Sequence, residues 1–127
     1  MAYTLKNNRT QFRGGKNILA SEHVQYIHGG ATCDATRFDD YVEVGTLIAR
    51  NTSTGLYEPF VAGAEGALPE GFDNFYILNE DHDNDGESNF VTGAVIIEGS
   101  VYEQKLASEV PVAFKQANPN IHYVTHI

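Results

Sequence analysis

Residues 41–61 read YVEVGTLIARNTSTGLYEPFV. The run at 44–50 is dense in aliphatic and β-branched side chains and is therefore strand-like, as is the shorter run at 56–61. The segment between them, Asn51-Thr52-Ser53-Thr54-Gly55, consists of residues that favour turns. Two strand-like runs joined by a short turn that ends in glycine predict a β-hairpin, so this stretch indicates a fold built on antiparallel strands.

Other short apolar runs, separated by turn residues, extend this pattern along the chain. We expect strands at 75–78 and 121–125. We also expect a second hairpin, in which the runs 90–98 and 101–105 turn about Gly99-Ser100. The intervening segments expected to be loops are 31–40 and 62–74.

One short helix is expected near the C-terminus, at 109–117. Ser108 is a suitable N-cap, Pro111 suits the first turn, and Asn118-Pro119 ends the helix. The predicted fold class is mainly β: a small barrel- or sandwich-like domain with one short C-terminal helix and an extended N-terminal arm.

The first 17 residues differ in composition from the rest. They are rich in Asn, Arg, Lys and Gly, their apolar residues are sparse and unperiodic, and Gly14-Gly15 interrupts any regular element. A segment of this kind cannot bury enough apolar surface to order itself. We therefore predict a flexible arm at 1–17, which makes few contacts with its own domain, and a single β-rich domain at 18–127.

Charge is divided unevenly along the chain. The whole sequence carries a formal net charge of −9, which disfavours a nucleic-acid partner. Residues 1–30 have a net charge of +3, whereas residues 31–127 have a net charge of −12, and such asymmetry suggests segments with different partners. No apolar run approaches the roughly 18 residues of a membrane span, and no apolar region follows the N-terminal charges, so neither a membrane partner nor a signal peptide is expected.

The acidic segment 79–89 contains Asp-His-Asp-Asn-Asp-Gly-Glu at 81–87, which matches the first half of an EF-hand calcium loop. The twelfth position of such a loop needs a bidentate carboxylate, but the chain has Thr92 there, and the flanking runs are strand-like. We therefore expect an acidic surface turn, with no metal and no cofactor. The alternative is a calcium-dependent binding module that uses this loop, with the candidate ligands Asp81, Asp83, Asp85 and Glu87.

Patterns of catalytic residues are incomplete. Cys33 is the single cysteine; as a nucleophile it would need His23 or His28 as a base, and the aspartate that follows it raises a thiol pKa rather than lowering it. His122 and His126 are four residues apart, which on a strand is about 13 Å, too far for one zinc ion. The chain also lacks G-x-S-x-G, dinucleotide and P-loop motifs, so we predict that it is not an enzyme.

Three stretches, in this order, resemble a known family. The first is the hairpin, with VGTLIAR at 44–50 and TGLYEPF at 54–60. The second is YILNED at 76–81, which leads into an Asp/Gly-rich turn, and the third is GAVIIEGSV at 93–101, followed by the short helix and a final Ile-x-Tyr-Val strand. Together they resemble the lambda-type head decoration proteins of tailed bacteriophages over about residues 40–126.

This resemblance implies a small, β-rich, non-enzymatic structural protein that forms a homotrimer. Proteins of this family are made in the host cytoplasm and bind the outside of the phage head at three-fold and quasi-three-fold positions, where they stabilise the shell against DNA pressure. The implied partners are the major capsid protein and other copies of this chain, and the implied location is the capsid exterior of the virion. The segment 1–40 and the loop at 62–72 are longer than the family pattern.

The family's capsid contact is typically made through the N-terminal arm. The resemblance therefore assigns capsid binding to the arm, which can add as a strand to a sheet edge on the shell. We expect the trimer contact on the β body, with the apolar faces around 44–48 and 95–97 supplying both core and interface. The candidate capsid-binding residues of the arm are Tyr3, Leu5, Lys6, Arg9, Phe12 and Arg13.

Overall fold

The computed structural model describes residues 17–63 and 66–125. Within these residues the fold is mainly β, as the sequence predicts, with a main sheet curled into half a barrel. A 3-10 turn (Glu103–Lys105) and a short helix, α1 (Val112–Ala117), lie near the C-terminus. The strands are β1 (Gln25–Tyr26), β2 (Ala31–Cys33), β3 (Tyr41–Val42), β4 (Leu47–Asn51), β5 (Tyr57–Pro59), β6 (Phe72–Leu78), β7 (His82–Asp83), β8 (Phe90–Thr92), β9 (Val95–Tyr102) and β10 (Ile121–Val124).

The main sheet has the strand order β1-β9-β6-β4-β5-β2-β8, and β10 joins it by parallel pairing with the second half of β9. The first predicted hairpin is confirmed, because β4 and β5 are antiparallel with Ala49 opposite Glu58. The strand predicted at 75–78 is β6, which begins three residues earlier, and the strand predicted at 121–125 is β10. The three sequence stretches that carry the family resemblance thus lie next to one another in one sheet.

The strand-like run 44–50 is interrupted by a turn at Gly45, so that β4 begins only at Leu47. Gly45 has a φ of +93°, and a Cβ there would lie 3.1 Å from Leu106 Cα and 3.2 Å from the Ala107 nitrogen. Glycine alone accepts both the backbone conformation and the close approach. The chain turns here, so β3 leaves the main sheet and pairs with β7 in a separate two-stranded sheet.

The predicted second hairpin is wrong. β9 runs without a turn from Val95 through Gly99 and Ser100 to Tyr102. β8 pairs with β2, whose three residues were expected to lie in a loop, and not with β9. Gly99 allows the backbone at His23 to lie close to β9 and does not form a turn, because a Cβ at Gly99 would lie 3.3 Å from the carbonyl oxygen of His23. The partners of β9 change at this point, from β6 and β1 to β10 and residues 18–20.

The C-terminal helix is confirmed, but it is shorter than predicted and Ser108 is not its N-cap. α1 begins after Pro111, which has an extended backbone (φ −63°, ψ 151°) and makes no side-chain capping hydrogen bond. The helix ends at Ala117, as predicted, and Asn118 is its C-cap. The Asn118 side chain donates a hydrogen bond to the carbonyl oxygen of Phe75 at 3.1 Å. This bond ties the end of the helix to β6.

Side chains of the central strands alternate between two apolar clusters, one on each face of the main sheet. In β4, Leu47 and Ala49 belong to the first cluster and Ile48 to the second; in β9, Ile96 belongs to the first and Val95 to the second. The first cluster contains an aromatic group packed edge to face, with ring centroids 4.8 to 6.0 Å apart, formed by Phe60, Phe75 and Phe114.

This packing shows which residues of the expected trimer contact belong to the core. Val44, Leu47, Ile48, Val95 and Ile96 are each no more than 4% exposed within a single protomer. They form the protomer's own core, whereas Thr46 and Ile97 are half-buried. An interface around 44–48 and 95–97 stays a prediction. In the described part of the chain, large apolar side chains are exposed elsewhere, at Val61, Leu68, Val91 and Val112.

Candidate binding surface

The acidic loop 79–89 packs against the segment 35–43, and its carboxylates bind the backbone of the fold. Asp81 accepts a hydrogen bond from the Val44 N–H at 3.0 Å, next to the turn that precedes β4. Asp85 accepts hydrogen bonds from the N–H groups of Ser88 and Glu87 at 2.9 and 2.8 Å. Those two bonds favour the charged form and lower the pKa of Asp85.

Asn84 lies at the centre of this corner, with only 8% of its surface exposed. Its backbone N–H donates to the carbonyl oxygen of Asp40 at 2.7 Å, and its side-chain oxygen accepts from the Gly86 N–H at 3.1 Å. Its side-chain nitrogen donates to three backbone carbonyl oxygens, those of Ala35 at 2.8 Å, Asp39 at 3.1 Å and Phe38 at 3.2 Å. One amide group therefore holds the whole segment 35–40 in place.

The structure does not bring the four candidate calcium ligands together. In residues 17–63 and 66–125, no group of three or more His, Cys, Asp or Glu side chains is placed to hold a metal ion. Asp83 lies in β7 opposite Tyr41, Asp81 and Asp85 bind backbone N–H groups, and Glu87 is exposed. The geometry of the loop therefore gives the calcium-binding alternative no support.

Of the two candidate zinc histidines, the structure describes His122, which lies on a strand. His122 lies on β10, in register with Ser100 of β9, so the assumption that this segment is a strand is correct. His126 lies outside the described residues.

Cys33 is fully buried in the second core cluster. Burial, and to a smaller degree the negative charge of Glu80, raises the pKa of the Cys33 thiol to about 12. His23 and His28, the bases considered for it, are exposed on the surface. A buried thiol with a raised pKa is protonated at neutral pH and is chemically inert as a nucleophile.

The candidate capsid-binding residues, Tyr3, Leu5, Lys6, Arg9, Phe12 and Arg13, lie outside the described residues, as does the rest of the segment 1–16. The body begins immediately after that segment. Ile18 is fully buried in the first core cluster, and its carbonyl oxygen accepts a hydrogen bond from the Tyr102 N–H at 2.7 Å. The chain therefore enters the body beside the end of β9.

A groove of about 320 Å³ opens between the segment 38–43, the open end of the β4–β5 hairpin and residues 107–108. Its lining includes two exposed carboxylates, those of Asp39 and Glu43. We call this site the acidic-rimmed groove. A cavity of about 150 Å³ holds a benzene ring, so the groove has room for an aromatic side chain. Its apolar lining consists of Phe38, Val42, Leu47, Pro59 and Phe60.

The sequence analysis predicted neither the hydrogen-bonding role of Asn84 nor this groove. The groove combines residues between 38 and 60 with Ala107 and Ser108, which lie much further along the chain, so no local pattern signals it. Among the described residues, no helix is long and apolar enough to cross a membrane.

Comparisons with protein-family models, curated proteins and solved structures found no match for this chain.

Proposed function

We propose that this chain is a homotrimeric, non-enzymatic head decoration protein of the lambda type, which binds the outside of an expanded phage head. The observation that carries the proposal is the order of the three family-like stretches, VGTLIAR with TGLYEPF, YILNED and GAVIIEGSV. They correspond to the β4–β5 hairpin, the end of β6 and strand β9, which are neighbours in the sheet order β9-β6-β4-β5. The short helix and the last strand follow in the family's order.

Attachment is assigned to the basic arm. Ordering an arm on the shell costs about 1–2 kcal/mol of backbone entropy per residue, so a single arm binds weakly. Three arms on one trimer offset this cost through effective concentration, with a gain in avidity of about 10²–10⁴. A closed three-fold ring also matches the symmetry of the three-fold and quasi-three-fold sites on a head.

Two measurements test the proposal. The purified chain is mixed with undecorated, expanded heads that carry the cognate major capsid protein, and the heads are sedimented; the chain should pellet with them and should raise the temperature at which they open. Light scattering should give a trimer mass of about 42 kDa, three times the 14.0 kDa of one chain. A monomer at micromolar concentration, or a chain left in the supernatant, contradicts the proposal.

Location follows from attachment. On this proposal the protein is made in the host cytoplasm and ends on the exterior of the virion, where antibodies against it should label intact particles. The calcium-dependent alternative predicts instead that millimolar calcium raises the melting temperature of the free protein. The Asp81 and Asp85 carboxylates already accept backbone hydrogen bonds, so we expect no such shift.

A further inference from the structure

We infer that copies of this chain join edge to edge, with β8 of one copy paired as an antiparallel strand with β1 of the next. The inference deepens the proposed function, since it rests on the homotrimer and names its contact. β1 and β8 stand at the two ends of the strand order β1-β9-β6-β4-β5-β2-β8. In the part of the chain that the structure describes, no strand pairs with the outer side of either, and we call them the terminal strands.

The terminal strands run in opposite directions. Of the six pairings along the strand order, five are antiparallel and one, between β5 and β2, is parallel. Rotation about an axis that runs along the strands keeps the direction of every strand. Two copies that are related by such a rotation and placed edge to edge therefore bring β8 of one copy against β1 of the next as an antiparallel pair.

The outer edge of β8 presents the backbone of Val91. The Asp34 N–H donates to the carbonyl oxygen of Tyr57 at 2.9 Å, on the β5 side of β2. Backbone groups alternate in direction along a strand, so those of Cys33 face β8 and form a hydrogen-bonded pair with Phe90. The N–H and C=O of Val91, the next residue, therefore point away from β2 and toward the open side.

The outer edge of β1 presents the backbone of Tyr26. The Ile27 N–H donates to the carbonyl oxygen of Val95 at 2.9 Å, on the β9 side of β1. By the same alternation, the N–H and C=O of Tyr26 point away from β9. Each terminal strand thus offers one donor and one acceptor at its outer edge, which are the groups that a hydrogen-bonded antiparallel pair exchanges.

The side chains of the two edges agree with this pairing. Phe90 and Thr92 are buried, and Phe90 belongs to the second core cluster. Val91 lies between them, so its side chain points to the opposite face of the sheet, where it is 67% exposed. Tyr26 packs against the first core cluster, on that same face. Residues opposite each other in a continuous sheet share a face, so Val91 fits opposite Tyr26 of the neighbouring copy, whose ring covers it.

Charge favours the terminal strands as the contact between copies. Residues 17–127 carry a net charge of −13, so two bodies repel each other wherever their acidic surfaces meet. The segments 23–30 and 88–94, which contain β1 and β8, have no Asp, Glu, Lys or Arg and no Pro. Proteins that keep a sheet edge free of partners commonly place charged residues or proline on it. Both ends of this sheet lack that protection, as expected of edges that meet another copy.

A closed ring compensates for the small size of each contact. β1 has two residues and β8 has three, so one contact supplies few hydrogen bonds. Because the contact joins two different edges, it is heterologous and repeats from copy to copy until the rotation closes. Three copies close with three contacts and no open terminal strand. A pairing of β8 with β8 would instead stop at two copies and leave β1 open.

Proline substitutions at two equally exposed valines test the position of the contact. Val91→Pro removes an N–H that points away from β2, so the β2–β8 hydrogen bonds within the protomer remain. Val112→Pro is the matched control, because Val112 is the first residue of α1, where proline is tolerated, and both valines are 67% exposed. By light scattering, Val91→Pro should have the mass of one chain, 14.0 kDa, and Val112→Pro that of three. A Val91→Pro trimer or a Val112→Pro monomer overturns the inference.

Amide hydrogen exchange of the wild type needs no variant. The amides of Tyr26 and Val91 point away from their own sheet, so we expect them to be protected only through the neighbouring copy. In Val91→Pro, the Tyr26 amide should lose its protection although the change lies on another strand, whereas the Ile27 amide, which bonds within the protomer, should keep it. If Tyr26 stays protected in a monomeric Val91→Pro, another segment of the same chain covers β1 and the inference is wrong.

The two measurements together separate this inference from the proposed function. A wild-type trimer that sediments with heads but exchanges the Tyr26 and Val91 amides rapidly retains the proposed function and refutes the edge contact, which then lies elsewhere, as around 44–48 and 95–97. A wild-type monomer refutes the trimer and the edge contact together. A trimer with both amides protected that stays in the supernatant supports the edge contact and refutes head decoration.

Discussion

Asn84→Asp, which replaces one side-chain nitrogen by an oxygen, should strongly lower the free energy of unfolding of this protein. The side-chain nitrogen of Asn84 donates to three backbone carbonyl oxygens at 2.8 to 3.2 Å, and the residue is 8% exposed. An aspartate keeps the acceptor for the Gly86 N–H but replaces both donors by a charged oxygen that faces those carbonyls. Lost donors and an uncompensated buried charge together cost about 3–5 kcal/mol, out of about 5–15 kcal/mol for a typical domain.

Asn89→Asp is the matched control, because Asn89 lies on the same loop and uses the opposite end of its amide. Its side-chain oxygen accepts a hydrogen bond from the Ala35 N–H at 3.1 Å, and an aspartate retains that acceptor. Both variants add one negative charge to the same loop, so long-range charge effects are similar. We expect Asn89→Asp to change the free energy of unfolding by less than about 0.5 kcal/mol.

Urea denaturation at pH 7 compares the two variants with the wild type. The reasoning fails if Asn84→Asp comes within about 1 kcal/mol of Asn89→Asp, which is less than the cost of one buried carbonyl left without a donor. The pH dependence adds a second check. Burial raises the pKa of an aspartate at position 84 above its unfolded value of about 3.9, so protonation favours the fold and the deficit of Asn84→Asp should shrink as the pH falls from 7 to 5.

Three further predictions concern the thiol, a turn and the arm. Burial raises the pKa of the Cys33 thiol in the folded protein to about 12, against an ordinary value of 9.0. The buried neutral thiol therefore contributes stability that is present below pH 9 and is lost as the pH rises toward 12. In urea denaturation, the free energy of unfolding of the wild type should fall by about 2–3 kcal/mol between pH 8 and pH 11 relative to that of Cys33→Ala. Gly45→Ala should cost at least about 1 kcal/mol more than Gly86→Ala, because both have positive φ but only Gly45 has backbone atoms within 3.2 Å of the added Cβ; equal costs would show that the contact with 106–107 yields. Deleting residues 1–16 should lower the melting temperature by only a few degrees, since Ile18 and the core remain, but should abolish sedimentation with heads; full attachment by the truncated chain would move the capsid contact to the body.

The sequence predicted those elements whose signals are local. The β4–β5 hairpin joins two apolar runs through a turn of five residues, and the helix ends at an Asn-Pro pair, so each is determined by neighbours in the chain. β2 was missed because its partners, β5 and β8, lie some 24 and 59 residues away, with Cys33 opposite Tyr57 and Ala31 opposite Thr92. A three-residue strand has no pattern of its own that would reveal such pairing.

Glycine was ambiguous in a way that only the fold resolves. Gly45 permits a positive φ and a turn. Gly99 instead permits the backbone of His23 and Val24 to lie close to β9 while the strand continues. Both uses look the same in a sequence, and the wrong choice at Gly99 produced the second hairpin that the structure lacks. The acidic loop has the same ambiguity, because a run of Asp, Asn and Gly suits both a calcium loop and a loop held by hydrogen bonds to backbone groups.

The uneven charge of the chain predicts how salt affects the proposed trimer. Residues 17–127 carry four basic and seventeen acidic residues, a net charge of −13, against +4 for residues 1–16. Joining three such bodies in a trimer brings like charges together, so salt should strengthen that contact by screening their repulsion. If the basic arms instead held the acidic bodies together, that contact would join opposite charges, and salt would dissociate the trimer rather than strengthen it. Light scattering at rising salt concentration therefore distinguishes a trimer contact on the body from one made by the arms.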